Sequence, residues 1–148
     1  MNLDLTHTFE SCLRKQTLAK KIFESCITPE EKYQKIIELG KHLPSYPSIN
    51  KTPEHLVKGC QSTMYLCSYL KETKMYFEVY SEALISAGLA ALLLSVYQEE
   101  FPEVILKCPP LFLEELGLYT ALSPSRSNGL SSLFLRMKQE ALKALTKK

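Results

Sequence analysis

The chain has 148 residues, 45% of them apolar and 23% charged, with a formal net charge of +2. That length supports a single domain with a sizeable core, expected over 1–148, and is too short for two ordinary ones. The charge balance argues against nucleic acid as a partner, because basic residues are scattered or terminal (Lys147, Lys148) and acids such as Glu30, Glu31, Glu99, Glu100, Glu114, Glu115 and Glu140 lie among them. The first seven residues lack the basic start and apolar core of a signal peptide. The longest apolar run, 83–97, contains Ser86, Gly88 and Ser95 and is shorter than the roughly 20 residues of a membrane span, so no membrane contact and a cytoplasmic location are expected. The five cysteines are an odd set without close pairing. Disulfides are not expected; a working thiol is allowed.

Leu18, Ile22 and Phe23, continued by Cys26, predict a first helix through Ser25 with these residues inward. Thr28-Pro29-Glu30-Glu31 starts a second: Thr28 caps, Pro29 suits the first helical position and Glu31 completes a capping box. It runs to about His42 with Tyr33, Ile36, Ile37 and Gly40 inward, and the three prolines of 43–53 make the next stretch an extended loop. Three strands are then predicted: a short one at 55–58, and an antiparallel hairpin of 63–70 and 75–80 joined by the polar link 71–74. In the hairpin Met75, Phe77 and Val79 take one face and Tyr76, Glu78 and Tyr80 the other. Ser81 is placed to cap a helix from Glu82 to about Gln98, whose lack of a polar face marks it as central and buried. Two short helical pieces follow at 102–106 and 109–116, the second closed by Gly117. The polar turn 123–129 leads into a last helix with Leu130, Leu133, Phe134, Met137, Ala141 and Leu145 on one face.

The five glycines are dispersed, so there is no phosphate-cradling loop, and no paired His or Cys ligands occur at metal spacing. His7 lies in a tail, His42 at a helix end, and His55 five residues before Cys60, close enough to influence a thiol through its charge. Cys60 is the residue that invites a function. It follows Gly59 and precedes Gln61 and Ser62, so a flexible polar turn surrounds the sulfur where a core cysteine has apolar neighbours. At this point three readings stand: a packed structural thiol, a working nucleophile, and one ligand of an iron-sulfur or zinc site with Cys67 and Cys108. Cys67 differs from Cys60 by an odd number of residues, which on a continuous strand points the two side chains to opposite faces and reads Cys67 as packing.

Gly59-Cys60-Gln61-Ser62 before an apolar strand resembles the signature of the SufE family of sulfur acceptors. The resemblance extends to the block 30–40 with Leu43-Pro44 after it, and to the block 122–130 ahead of the last helix. It implies an α+β domain, a small antiparallel sheet of about three strands packed against several helices (SufE/IscU-like), with 1–27 as an N-terminal helical extension. It further implies that Cys60 accepts persulfide sulfur from a pyridoxal-phosphate-dependent cysteine desulfurase (SufS-like), stimulates it, and delivers the sulfur to an iron-sulfur scaffold (SufBCD-like). The chain would then be an accessory sulfurtransferase without a resident cofactor or metal, carrying only a transient persulfide on Cys60. Gly59 is the expected hinge of a loop that tucks Cys60 away and swings out on the partner. Gln61, Glu82 and Arg126 are the expected loop or partner contacts, Arg126 from a turn folding back on the sheet. A non-covalent activator of the desulfurase is the further alternative.

Overall fold

A hairpin of two antiparallel strands lies against a buried helix, with the other helices wrapped around that pair. The computed structural model describes residues 5–146; the readings placed on the first four residues and on Lys147 and Lys148 lie outside the described residues. The elements are α1 (Leu5–Ile22), α2 (Pro29–Gly40), β1 (Met64–Lys71), β2 (Lys74–Ser81), α3 (Leu84–Tyr97), α4 (Pro102–Lys107), α5 (Leu111–Glu115), α6 (Leu118–Ala121) and α7 (Pro124–Thr146). Short 3₁₀ turns occupy Ser48–Asn50 and Pro53–His55.

The hairpin pairs Met64 with Ser81 through to Lys71 with Lys74. Its tight turn holds Glu72 and Thr73 at φ of 53° and 69°, the left-handed geometry that matches strand twist. Alternation works as the sequence predicts: Leu66, Met75, Phe77 and Val79 are buried on the core face. The opposite face is aromatic, with Tyr65, Tyr80 and Tyr46 about a triangle of centroid distances 6.2 to 6.4 Å. Cys67 is buried on that face, donating to Glu78 Oε1 at 3.5 Å and accepting from Asn50 Nδ2 at 3.6 Å. The free edge of β2 is closed by a side chain: the Gln98 amide accepts from Phe77 N at 2.6 Å and donates to Phe77 O at 2.9 Å.

α3 runs through the middle of the core, buried at Ile85, Leu89, Leu92, Leu93, Val96 and Tyr97. Tyr97 tilts onto Phe134 of α7 and donates its hydroxyl to Cys108 O at 2.6 Å. Gly88 is where α2 comes closest; a Cβ there would lie 1.9 Å from Ile36 O. The α2 capping box forms as read, Glu31 N donating to Thr28 Oγ1 at 3.2 Å and Thr28 N to Glu31 Oε1 at 3.1 Å.

Several boundaries differ from expectation. Of the short strand at 55–58 only a bridge from Leu56 to Tyr65 forms, because His55 closes a 3₁₀ turn. α1 already includes His7 and ends at Ile22 rather than Ser25, and Leu18 on it is 54% exposed, since Cys12, Gln16 and Ala19 make the inward stripe, continued by Phe23 in the turn that follows. α2 stops at Gly40 rather than His42. Ser81 does not cap α3: the Glu82 backbone is engaged by Thr63, so the helix starts at Leu84 after Ala83. The stretch 123–129 is the opening of α7 rather than a turn, with Pro124 in its first turn, and α6 is a helix the sequence did not announce. Leu145, at the far end of the α7 stripe, is exposed.

The thiol loop as candidate functional site

Residues 58–63 form a loop whose two ends are closed by backbone. Val57, buried, donates its N–H to Met64 O at 2.8 Å. On the far side Thr63 N donates to Glu82 Oε1 at 3.1 Å, and Glu82 N returns a bond to Thr63 O at 3.3 Å. Glu82 therefore anchors the loop's base. Gly59 sits at φ +90° and faces α7 so closely that a Cβ would lie 2.3 Å from Ser132 Oγ. The positive φ is what calls for glycine; the approach to the Ser132 hydroxyl could be relieved by rotating that side chain.

That turn brings Cys60 onto α7. Its thiol is half-buried and donates to Gly129 O at 3.7 Å. Burial pushes its pKa up, because nothing compensates a thiolate for the lost water. In this closed position Cys60 is a protonated, shielded thiol rather than a nucleophile. Beside it opens a cavity of about 290 Å³ lined by Gln61, Ser62, Ser86, Ser123, Arg126 and Gly129 among others. Its walls mix serine hydroxyls and backbone with apolar surface, and the Cys60 sulfur itself packs against the edge of the apolar core.

Arg126 is exposed on the first turn of α7, donating from Nη1 to Tyr33 Oη at 3.1 Å, with its guanidinium 5.6 Å from the Tyr33 ring centroid. It shares the cavity with Cys60 while tying α7 to α2. Gln61 is exposed at the rim. His55 is engaged with Thr52 Oγ1 at 2.8 Å, and His42 with Glu38 O at 3.0 Å.

The other cysteines are held elsewhere. Cys108 and Cys12 are buried around the Gln16 amide, whose Nε2 is 3.7 Å and 3.8 Å from their sulfurs, and Cys67 lies in the outer tyrosine layer. Cys60, Cys67 and Cys108 thus have different neighbours, and among the described residues no group of three or more His, Cys, Asp or Glu could hold a metal ion. Sequence reasoning missed the seat on α7, formed by Gly129, Ser132 and Arg136. The signal was present as a polar stripe at helical spacing beside the apolar one.

A family model described as "SufE: Fe-S metabolism associated domain" matches residues 17–141. The chain belongs to the SufE family. A SufE-like protein 1 of Arabidopsis thaliana, described as chloroplastic/mitochondrial, is 36% identical over 123 residues, which are 82% of this chain and 33% of the plant protein. The chain therefore spans about a third of that relative's length. An uncharacterized SufE-like protein of Rhizobium meliloti is 35% identical over 117 residues, 76% of this chain and 84% of the relative. The solution structure of a hypothetical protein from Thermus thermophilus superposes with a TM-score of 0.74 at 27% identity, covering 90% of this chain and 97% of that one. The SufE match includes the thiol loop and its seat on α7, and begins after Ser11, Cys12, Lys15 and Gln16 of α1.

Proposed function

We propose that this SufE-family protein is a cytoplasmic sulfur carrier whose Cys60 takes sulfane sulfur from the persulfide of a pyridoxal-phosphate-dependent cysteine desulfurase and delivers it to an iron-sulfur scaffold. The observation that carries the reading is a half-buried thiol on a glycine-turned loop pinned at both ends beside a cavity. When the loop opens, water returns to the sulfur and its pKa falls toward the ordinary thiol value of about 8.5. The Cys60 thiolate then attacks the terminal sulfur of the donor persulfide. A new sulfur–sulfur bond forms to Cys60 Sγ, the donor's own sulfur–sulfur bond breaks, and the donor cysteine leaves as thiolate. The terminal sulfur keeps its proton, so the transfer needs no external oxidant and no metal or cofactor on this chain. Closure of the loop afterwards shields the persulfide from reduction and oxidation.

Steady-state turnover of a cysteine desulfurase tests this reading. The wild-type chain accelerates sulfide or alanine production from cysteine, and Cys60→Ser abolishes that acceleration while still folding. Equal acceleration by Cys60→Ser would make the protein a non-covalent activator.

A further inference from the structure

The segment leading into the thiol loop is held on α7 by one side chain that the reaction itself does not use. Gly129, Ser132, Arg136 and Glu140 follow one another at intervals of three and four, so they line one face of α7. Gly129 receives the Cys60 thiol and Ser132 meets Gly59. Arg136 donates from Nη2 to Glu54 O at 2.6 Å and from Nη1 to Leu56 O at 3.0 Å. Its Nε bonds Glu140 Oε2 at 3.3 Å, and Glu140 accepts from Ser68 of β1 at 2.9 Å through its other oxygen. The Arg136 side chain is 16% exposed and that of Glu140 15%, so the fork is held in one orientation by a partly buried carboxylate.

We propose that Arg136 is a positioning residue for Cys60: its guanidinium clamps the carbonyls of Glu54 and Leu56 to α7 and thereby sets how often the thiol loop leaves its seat. This rests on the sulfur-carrier reading for its meaning, because a carrier's thiol must be closed at rest and open on demand. The clamp acts on the base of the loop. Val57, which follows the two clamped carbonyls, is buried and bonded to Met64, so without Arg136 only that one bond and the Val57 side chain hold the loop's entry: the fold survives and the loop opens more often. A planar fork reaches two carbonyls at once; a lysine ammonium reaches one point.

The test is alkylation of the full chain by iodoacetamide, with each cysteine followed separately by peptide mass analysis. Arg136→Ala should label Cys60 about tenfold faster than wild type, equivalent to about 1.4 kcal/mol in the opening equilibrium. Cys67 and Cys12 should label at unchanged rates. Arg136→Lys should fall between the two, and the pH at which Cys60 labelling rises should move down in Arg136→Ala as the sulfur spends more time in water. Cys60 labelling at the wild-type rate in both variants would overturn the proposal, as would a common acceleration at all cysteines, which reports general loosening. Should Arg136→Ala fail to fold, Arg136→Lys keeps the charge and decides alone: a selective rise at Cys60 supports the clamp, and no rise removes it. Iodoacetamide replaces no partner, so failure of sulfur uptake would leave this result intact, and unchanged labelling beside intact sulfur uptake would remove the clamp alone.

Discussion

A protonated Cys60 at rest is the acid–base fact on which a shielded carrier depends. Burial raises the thiol's pKa, so the folded chain holds this proton more tightly than the unfolded chain does. The contribution to stability is complete below the ordinary thiol pKa of about 8.5 and is lost as pH rises above it through the folded value. Urea midpoints measured from pH 7 upward should therefore fall for wild type and fall less for Cys60→Ser; parallel curves would mean that the sulfur is not buried in solution. At this scale the residues around Gly59-Cys60 were legible, because a glycine before a cysteine and two polar residues has a local meaning. Arg126 was legible as a residue near the loop and misread as part of a turn. Arg136 was invisible, because its acceptors are two backbone carbonyls about 80 positions earlier, at Glu54 and Leu56, and carbonyls leave no trace in side-chain identity.

Helix contacts set where the loop's two walls stand. Gly88→Ala would drive a Cβ into Ile36 O, backbone that cannot rotate away, so α2 and α3 must separate. The expected cost is about 1–3 kcal/mol or somewhat more by urea unfolding, and stability equal to wild type would show that α2 is not seated on Gly88. α1 is fastened by a buried polar cluster: Glu100, 3% exposed, takes Lys15 Nζ at 2.7 Å and Ser11 Oγ at 2.9 Å. Glu100→Gln leaves Lys15 without its counter-charge and should cost about 1–3 kcal/mol, below the fully buried case because Lys15 is partly solvated. Hydrogen exchange should quicken in α1 more than in α3; uniform quickening would contradict a local anchor. Apolar periodicity found α3, α7 and the hairpin because packing alone decides them. It failed at 55–58, where His55 closes a 3₁₀ turn and only Leu56 makes a bridge to β1, and at 123–129, where serines, Asn128 and Gly129 read as a turn although Pro124 starts a helix stabilised by its later apolar stripe.

Across the molecule, one apolar cluster joins the helices and the hairpin, and the thiol loop lies at its margin with Cys60 packed against it. The fold class and the family were legible because three separated blocks, 30–44, 59–62 and 122–130, fall in order at the right distances; in the fold 59–62 meets 122–130 where Cys60 donates to Gly129 O, and Arg126 ties the latter block to α2 through Tyr33. The lodging of Ser11, Cys12, Lys15 and Gln16 was not legible, since its partners Gln98, Glu100, Cys108 and Pro109 lie more than 80 positions away. The central claim concerns a covalent event at one sulfur, and intact-mass analysis reads it most directly. Wild type and Cys60→Ser are incubated with a cysteine desulfurase and cysteine, and their masses are compared before and after dithiothreitol. The account predicts that wild type gains the mass of one sulfur atom, lost again on reduction, and that Cys60→Ser gains none; an unmodified wild type, or the same gain in Cys60→Ser, would contradict it.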